Sequence, residues 1–536
     1  MSDNLFSNIA ARISDPSRPF IRTLEERVIT YADAFDLSGR IANALVARGT
    51  RPGDRVAVQI EKSPEALMLY LACLRAGAVY LPLNTAYTRS ELEYFIADAE
   101  PRVLVCAPER REALKPVARR LGVAAIETMD GAGAGTLMNL ADQCRSEFDD
   151  AARARDDLAA ILYTSGTTGR SKGAMLTCEN LSSNAAVLTD YWRFTPDDVL
   201  LHALPIFHTH GLFVATNVVL MAGASMILLP KFDPAHVFRA LPRATVMMGV
   251  PTFYTRLLKD ARTNRKTMAH MRLFVSGSAP LLAETHREWQ ARTGHAILER
   301  YGMTETGMLT SNPYDGDRVP GSVGFPLPGV ELRVSDPETG RPLGNGKIGM
   351  IEVRGPNVCK GYWRMPEKTK AEFRSDGFFI TGDLGKIDRR GYVSIVGRGK
   401  DLVISGGYNV YPKEVESEID AIPGVVESAV FGVPHPDFGE GVTAAVVKDK
   451  KAKLDEDAIM KALEGRLAKY KLPKHVLFLE SLPRNTMGKV LKSELRETYK
   501  NLFNMESSEL QRPPKRRRAS AQGARRRMHS PARRSR

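Results

Sequence analysis

The stretch Tyr163-Thr164-Ser165-Gly166-Thr167-Thr168-Gly169-Arg170-Ser171-Lys172-Gly173 follows directly on Leu158-Ala159-Ala160-Ile161-Leu162, an apolar run of strand length. A buried strand that gives way to hydroxyls and glycines with almost no bulk leads into a loop whose backbone N–H groups can close around phosphate oxygens. Lys172 brings a charge within reach of such an anion. A P-loop needs Gly-x-x-x-x-Gly-Lys-Ser/Thr; counting from Gly166 puts Ser171 where the second glycine belongs, which excludes it. An ordinary Gly/Ser/Thr turn is the alternative on composition alone.

The segments around this loop alternate. An amphipathic run from Tyr31 to Arg48 is followed by a strand Arg55 to Ile60, a helix Pro64 to Ala76 and a strand Ala78 to Leu81, then by a strand Arg102 to Cys106 and a helix Arg110 to Leu121. Strands separated by helices predict a parallel α/β sheet. Residues 128–156, rich in Gly, Ala, Asp and Arg, read as a surface excursion. Further strands are expected at Asp198 to Leu204, Ala224 to Leu229, Ala244 to Met248 and Leu273 to Val275. From Gly321 the pattern turns to short strands with Gly/Pro turns, which predicts a β-rich subdomain over about 321–399. A last α/β unit over 400–505 has helices at Pro412 to Asp420 and Glu456 to Lys469.

The 536 residues call for two or three domains. A formal charge of +14 invites a nucleic-acid reading, but residues 511–536 hold eleven Lys/Arg and no acid, so the remainder carries only +3. That tail lacks aromatic interleaving, and 506–536 is expected to be a disordered basic segment rather than a nucleic-acid site. Cys73, Cys106, Cys144, Cys178 and Cys359 are odd in number and never in Cys-x-x-Cys spacing, which points to free thiols in a reducing compartment, the cytoplasm. Neither a secretory signal nor an Arg-rich transit peptide is evident in Met1 to Phe20. The most apolar window, Phe213 to Leu229, is broken by Thr216, Asn217, Gly223 and Ser225 and reads as core rather than a membrane span.

With Tyr301-Gly302-Met303-Thr304-Glu305-Thr306, Thr381-Gly382-Asp383, Gly397-Arg398-Gly399-Lys400-Asp401, Gly406-Gly407-Tyr408 and Pro483-Arg484-Asn485-Thr486-Met487-Gly488-Lys489 in that order, the chain resembles the adenylate-forming superfamily over nearly all of residues 1–502. This superfamily comprises acyl-CoA synthetases, luciferases and peptide-synthetase adenylation domains. The resemblance implies a large N-terminal adenylation domain (1–399) and a smaller, swivelling C-terminal α+β domain (400–505). It also implies ATP, Mg²⁺ and coenzyme A as reactants. Thr164, Ser165, Gly166, Thr167, Thr168, Gly169 and Lys172 would hold the phosphates, and Tyr301, Gly302 and Thr304 would flank the adenine. Asp383 with Arg398 would take the ribose, and Glu305 would take Mg²⁺. Lys489 would bridge the acid and the α-phosphate, offsetting charge where two anions meet. Lys400 would be the hinge, and Gly406 and Gly407 would pass the pantetheine arm. Taken singly, Lys489, Glu305 and Asp383 could each be ordinary solvated or turn residues.

Leu204-Pro205-Ile206-Phe207-His208-Thr209-His210-Gly211-Leu212, the segment Gly249 to Arg256, Val275-Ser276-Gly277-Ser278-Ala279-Pro280 and Glu299-Arg300 narrow the resemblance to the malonyl-CoA synthetases within that superfamily. A second carboxylate must not be buried unpaired, and arginine binds it bidentately. Arg256, Arg300 and Ser278 are the candidates that the resemblance supplies. His208 would act in the acyl pocket, with Thr209 and Met308 limiting its size to malonate and methylmalonate. A helix-surface residue is the alternative for Arg256, an ion pair with Glu299 for Arg300 and a core histidine for His208. The pair His208/His210 also suggests metal, but no third ligand stands nearby in sequence. Gly307 and Leu309 depart from the family pattern, which has amide side chains there, so a looser or larger acyl floor is expected. The competing functions are another short-chain acyl-CoA synthetase and a carrier-protein adenylation domain, although no carrier module follows residue 502.

Overall fold

The computed structural model describes residues 3–164, 171–406, 408–485 and 488–504. Ser165, Gly166, Thr167, Thr168, Gly169, Gly407 and the basic segment 506–536 therefore lie outside the described residues.

Among the described residues the strands form four sheets. A six-stranded sheet is built from Arg55–Gln59, Val79–Pro82, Val103–Cys106, Ala125–Thr128 and Leu158–Thr164, all parallel, and closes with Lys172–Thr177 running antiparallel at its edge. In that last pair Thr164 stands opposite Lys172, so the expected phosphate loop joins two neighbouring strands. A nine-stranded sheet has a parallel centre (Leu298–Met303, Leu273–Ser276, Val246–Gly249, Val199–His202, Ser225–Leu228 and Pro19–Arg22) with antiparallel strands at both edges.

One core lies between these two sheets. Pro64–Arg75 crosses it and is buried on every face, which explains why a helix capped by Ser63 is apolar all round. In the window Phe213 to Leu229, read as core, every residue but Ala222, Gly223 and Ser225 is buried as well, and no helix among the described residues is long and apolar enough to cross a membrane. A four-stranded antiparallel sheet begins at Glu331 and ends at Arg398, while Phe325–Pro326 still pairs with the nine-stranded sheet. The C-terminal unit packs Pro412–Asp420 and Glu456–Leu463 on a mixed sheet centred on the hairpin Val425–His435/Gly439–Lys448.

One expectation fails. The helix expected over Glu456 to Lys469 stops at Leu463, because Glu464 is extended and Gly465 takes φ +76°, a left-handed conformation that ends the helix. Residues 128–156, read as a surface excursion, are for the most part exposed or half-buried, yet they hold the helix Thr136–Ala141, whose Leu137 is buried, and Asp150 pairs with Arg75 at 2.7 Å. All five cysteines are free.

Candidate active site

The ends of three sheets and one turn of the C-terminal unit meet at a single polar cluster. Glu305 follows the strand Leu298–Met303 by two residues and is only 5% exposed. Its Oε1 lies 3.2 Å from Tyr362 Oη and 3.5 Å from Thr164 Oγ1. Burial raises its pKa, and nearby Lys172 and Arg398 oppose that shift. Such a carboxylate fits a hard cation whose remaining ligands are phosphate oxygens and water.

Tyr301, on the strand before Glu305, donates to Asp383 Oδ2 at 2.5 Å. Asp383 and Arg398 are cross-strand partners in the four-stranded sheet, which brings Arg398 Nε to 3.1 Å from Asp383 Oδ1. The residue before Asp383, Gly382, takes φ +75°, and an added Cβ there would meet nothing within 4 Å.

Lys489 enters from the other domain. Its own N–H donates to Asn485 Oδ1 (2.9 Å) and its carbonyl accepts from Asn485 N (2.9 Å). Arg484 caps the same turn by donating to the Gly488 carbonyl while paired with Glu427. A Cβ on Gly488 (φ +74°) would stand 3.1 Å from the Thr252 side chain, so the turn rests on the helix Pro251–Leu258 of the large domain. Burial first, then Arg398, lowers the Lys489 pKa, while Asp383, Asp401 and Glu305 raise it. The Lys489 ammonium therefore shares one electrostatic environment with the two acids expected to hold ribose and cation.

The expected acid-binding residues gather on the adjacent side of the nine-stranded sheet. Arg300 is 3% exposed, and neither its Nε nor its Nη2 has a hydrogen-bond partner. It does not pair with Glu299, whose carboxyl accepts from Leu281 N at 3.1 Å and is pushed up to about 8 by burial. Gly277 makes room for Arg300: a Cβ there would come within 2.5 Å of the guanidinium carbon. The next residue, Ser278, holds a left-handed φ of +70° that a side chain rarely accepts, and its Oγ lies 3.1 Å from His210 Nδ1. His208 Nδ1 accepts from His210 N (3.2 Å), and burial, then Arg300, lowers the His208 pKa to about 4, so the ring is neutral. Thr209 Oγ1 and His210 Nε2 are buried without partners. Arg300 Nε and Nη2, Thr209 Oγ1 and His210 Nε2 are thus buried polar atoms without partners, and a guanidinium in that state can take an anion.

Arg256 is placed differently. It is exposed, with its guanidinium 4.9 Å from the Phe232 ring centroid, and no contact to Arg300 or Ser278 is seen. It does share a helix face with Thr252, one turn away, against which the Lys489 turn packs.

The departures at Gly307 and Leu309 have a physical account. Gly307 sits at φ +58°, and a Cβ there would come within 2.7 Å of Asn184 Oδ1. Asn184 instead clamps Met308, accepting from its N–H (3.0 Å) and donating to its carbonyl (2.9 Å). Leu309 is fully buried in the core of the four-stranded sheet. An amide thus comes from a different helix, and the looser floor expected from Gly307 and Leu309 is not found at Met308. Lys400 lies on the exposed turn Gly399–Asp401 between the two domains, where Asp401 pairs with Arg496 at 2.9 Å. Gly406 (φ +60°) is exposed beside Phe438.

Sequence reasoning missed His210 as the partner of Ser278. It also missed Asn184 and Tyr362, which lie far along the chain from Met308 and Glu305, the groups they touch here, and in no motif. His210 had a signal, its place two residues after His208, but that spacing was weighed only for metal.

The AMP-binding enzyme model matches residues 11–363, and the AMP-binding enzyme C-terminal domain model matches 414–489. The crystal structure of ATP-bound MatB from Rhodopseudomonas palustris superposes with a TM-score of 0.93 at 65% identity, over 94% of this chain and 100% of that one. The apo form of that protein gives 0.83 at the same identity. Malonate–CoA ligase ACSF3, mitochondrial, from Mus musculus is 37% identical over 87% of this chain and 86% of its own. Feruloyl-CoA synthase from Amycolatopsis sp is 39% identical over 88% and 94%.

Proposed function

The chain belongs to the AMP-binding enzyme family, and we propose that within it the chain ligates malonate to coenzyme A through a malonyl-adenylate, releasing AMP and pyrophosphate. One malonate carboxylate oxygen attacks the α-phosphorus of ATP, the bond to the β-phosphate oxygen breaks and pyrophosphate leaves. The thiol of coenzyme A, losing its proton, then attacks the acyl carbon and AMP departs.

Lys489 is the group we assign to the first step, because its charge reaches the junction between Asp383 and Glu305. Glu305, with Thr164, would hold Mg²⁺, whose charge offsets that of the triphosphate. Asp383, Arg398 and Tyr301 would receive the ribose and adenine, with Gly302 and Thr304 beside them. Lys172 and the loop before it would take the phosphates. Rotation at Lys400 would exchange Lys489 for Gly406 and Gly407 at the thioester step.

The observation that carries the choice of acid is Arg300, buried with two donor atoms unpaired. A second carboxylate satisfies it bidentately, with Ser278 and His208 beside it, whereas a feruloyl group would leave a cation buried against an aromatic acid. Thr209 and Met308 would limit the space to malonate and methylmalonate. Arg256 would join them only by leaving Phe232. The free thiols support a cytoplasmic setting. Incubation with malonate, ATP, Mg²⁺ and coenzyme A should form malonyl-CoA, AMP and pyrophosphate in equal amounts. Formation of ADP and phosphate instead would contradict the adenylate route.

A further inference from the structure

Lys172 does not face its expected ligand alone. Its Nζ is 3.0 Å from Glu372 Oε1 and 4.3 Å from the centroid of the Tyr362 ring. Both members of this ion pair are mostly covered, each side chain 18% exposed, so water screens them little. Glu372 closes the short helix Pro366–Glu372 and lies 200 residues from Lys172 along the chain. Its carboxylate also takes Lys368 Nζ at 2.7 Å and the Tyr362 hydroxyl, the same hydroxyl that lies 3.2 Å from Glu305. Burial alone would raise the Glu372 pKa, but hydrogen bonds from Lys368, Tyr362 and Lys172 outweigh it and keep the group ionised.

A triphosphate that draws on Lys172 must compete with this carboxylate. We propose that Glu372 is a built-in counter-ion for Lys172, a positioning residue that holds the phosphate-loop cation in reserve, so that nucleotide binding is an exchange of Lys172 from Glu372 to phosphate. The inference rests on the phosphate-loop reading above. Lys368 makes the exchange feasible, because it remains with Glu372 when Lys172 leaves and prevents a half-covered carboxylate from standing unpaired. Glu372 then sets ATP affinity in the direction opposite to a merely structural residue: removing its charge tightens binding.

Calorimetric titration of the full chain with ATP and Mg²⁺ tests this without turnover. Glu372→Gln should bind ATP about tenfold more tightly, a size appropriate to releasing one partly desolvated ion pair. Lys368→Met, on a side chain 45% exposed, should bind more weakly, since Glu372 then depends on Lys172 alone. Both differences should vanish in a Lys172→Ala background. Weaker or unchanged binding by Glu372→Gln, or a gain that persists without Lys172, overturns the counter-ion role. Should Glu372→Gln fail to fold, the Lys368→Met pair of measurements decides alone. Unchanged ATP affinity in Lys172→Ala itself would instead remove the phosphate-loop reading.

Discussion

Glu299 and Arg300 are successive residues of one strand, both buried, yet they serve opposite needs because neighbouring side chains leave a strand on opposite faces. Arg300 is the cation proposed to take the second carboxylate. Glu299 supports the loop that presents Ser278, accepting from Leu281 N, and burial pushes its carboxyl from 4.5 up to about 8. The folded state therefore holds a proton that the unfolded chain has released. This contribution to stability is fully present below pH 4.5 and is lost as pH rises toward 8. Each pH unit in that window is worth at most about 1.4 kcal/mol. Glu299→Gln, which is neutral at every pH, should gain in thermal stability over the wild type as pH is raised from about 5 to about 8. Parallel melting curves for the two proteins across that range would contradict the assignment.

Lys489, the residue proposed to act in the first step, is held against the large domain by its neighbours in the C-terminal one. Arg484 and Val490 form an antiparallel bridge, Arg484 pairs with Glu427 on the long strand Val425–His435, and Gly488 is seated on Thr252. Glu427→Ala should let this turn drift and lower malonate-dependent pyrophosphate release about tenfold or more, since small misplacements of a catalytic group cost that much. Conversion of supplied malonyl-adenylate to the thioester should stay near wild type, and an equal loss in both half-reactions would argue for general unfolding. Elements of this kind differ in how far the chain announces them. Pro64–Arg75 and Pro412–Asp420 were legible because proline at the first turn marks both, with a nearly unbroken apolar run in the first and Val415 and Ile419 one turn apart in the second. The end of Glu456–Leu463 was not, because Gly465 breaks a run whose charged residues otherwise favour helix. At the site, the motif residues Glu305, Asp383 and Arg398 do come together, but contacts such as Asn184 to Met308 depend on which helix crosses which strand, and no local pattern encodes that.

At the scale of the whole molecule, two sheets sharing a core form a rigid base, and the C-terminal domain delivers Lys489 to its edge. The charge of +14 resides mostly in residues 511–536, apart from every group assigned to the reaction. Deleting 511–536 should leave turnover unchanged; a large loss would give the tail a part in the reaction. The most direct test of the account is pyrophosphate release with malonate, propionate and acetate, on the wild type and on Arg300→Met. The account predicts that malonate is preferred by about 100-fold or more in the wild type, because a buried charge left unpaired penalises the monoacids, and that Arg300→Met erases the preference. Equal use of propionate or acetate by the wild type, or a malonate preference that survives Arg300→Met, would contradict it.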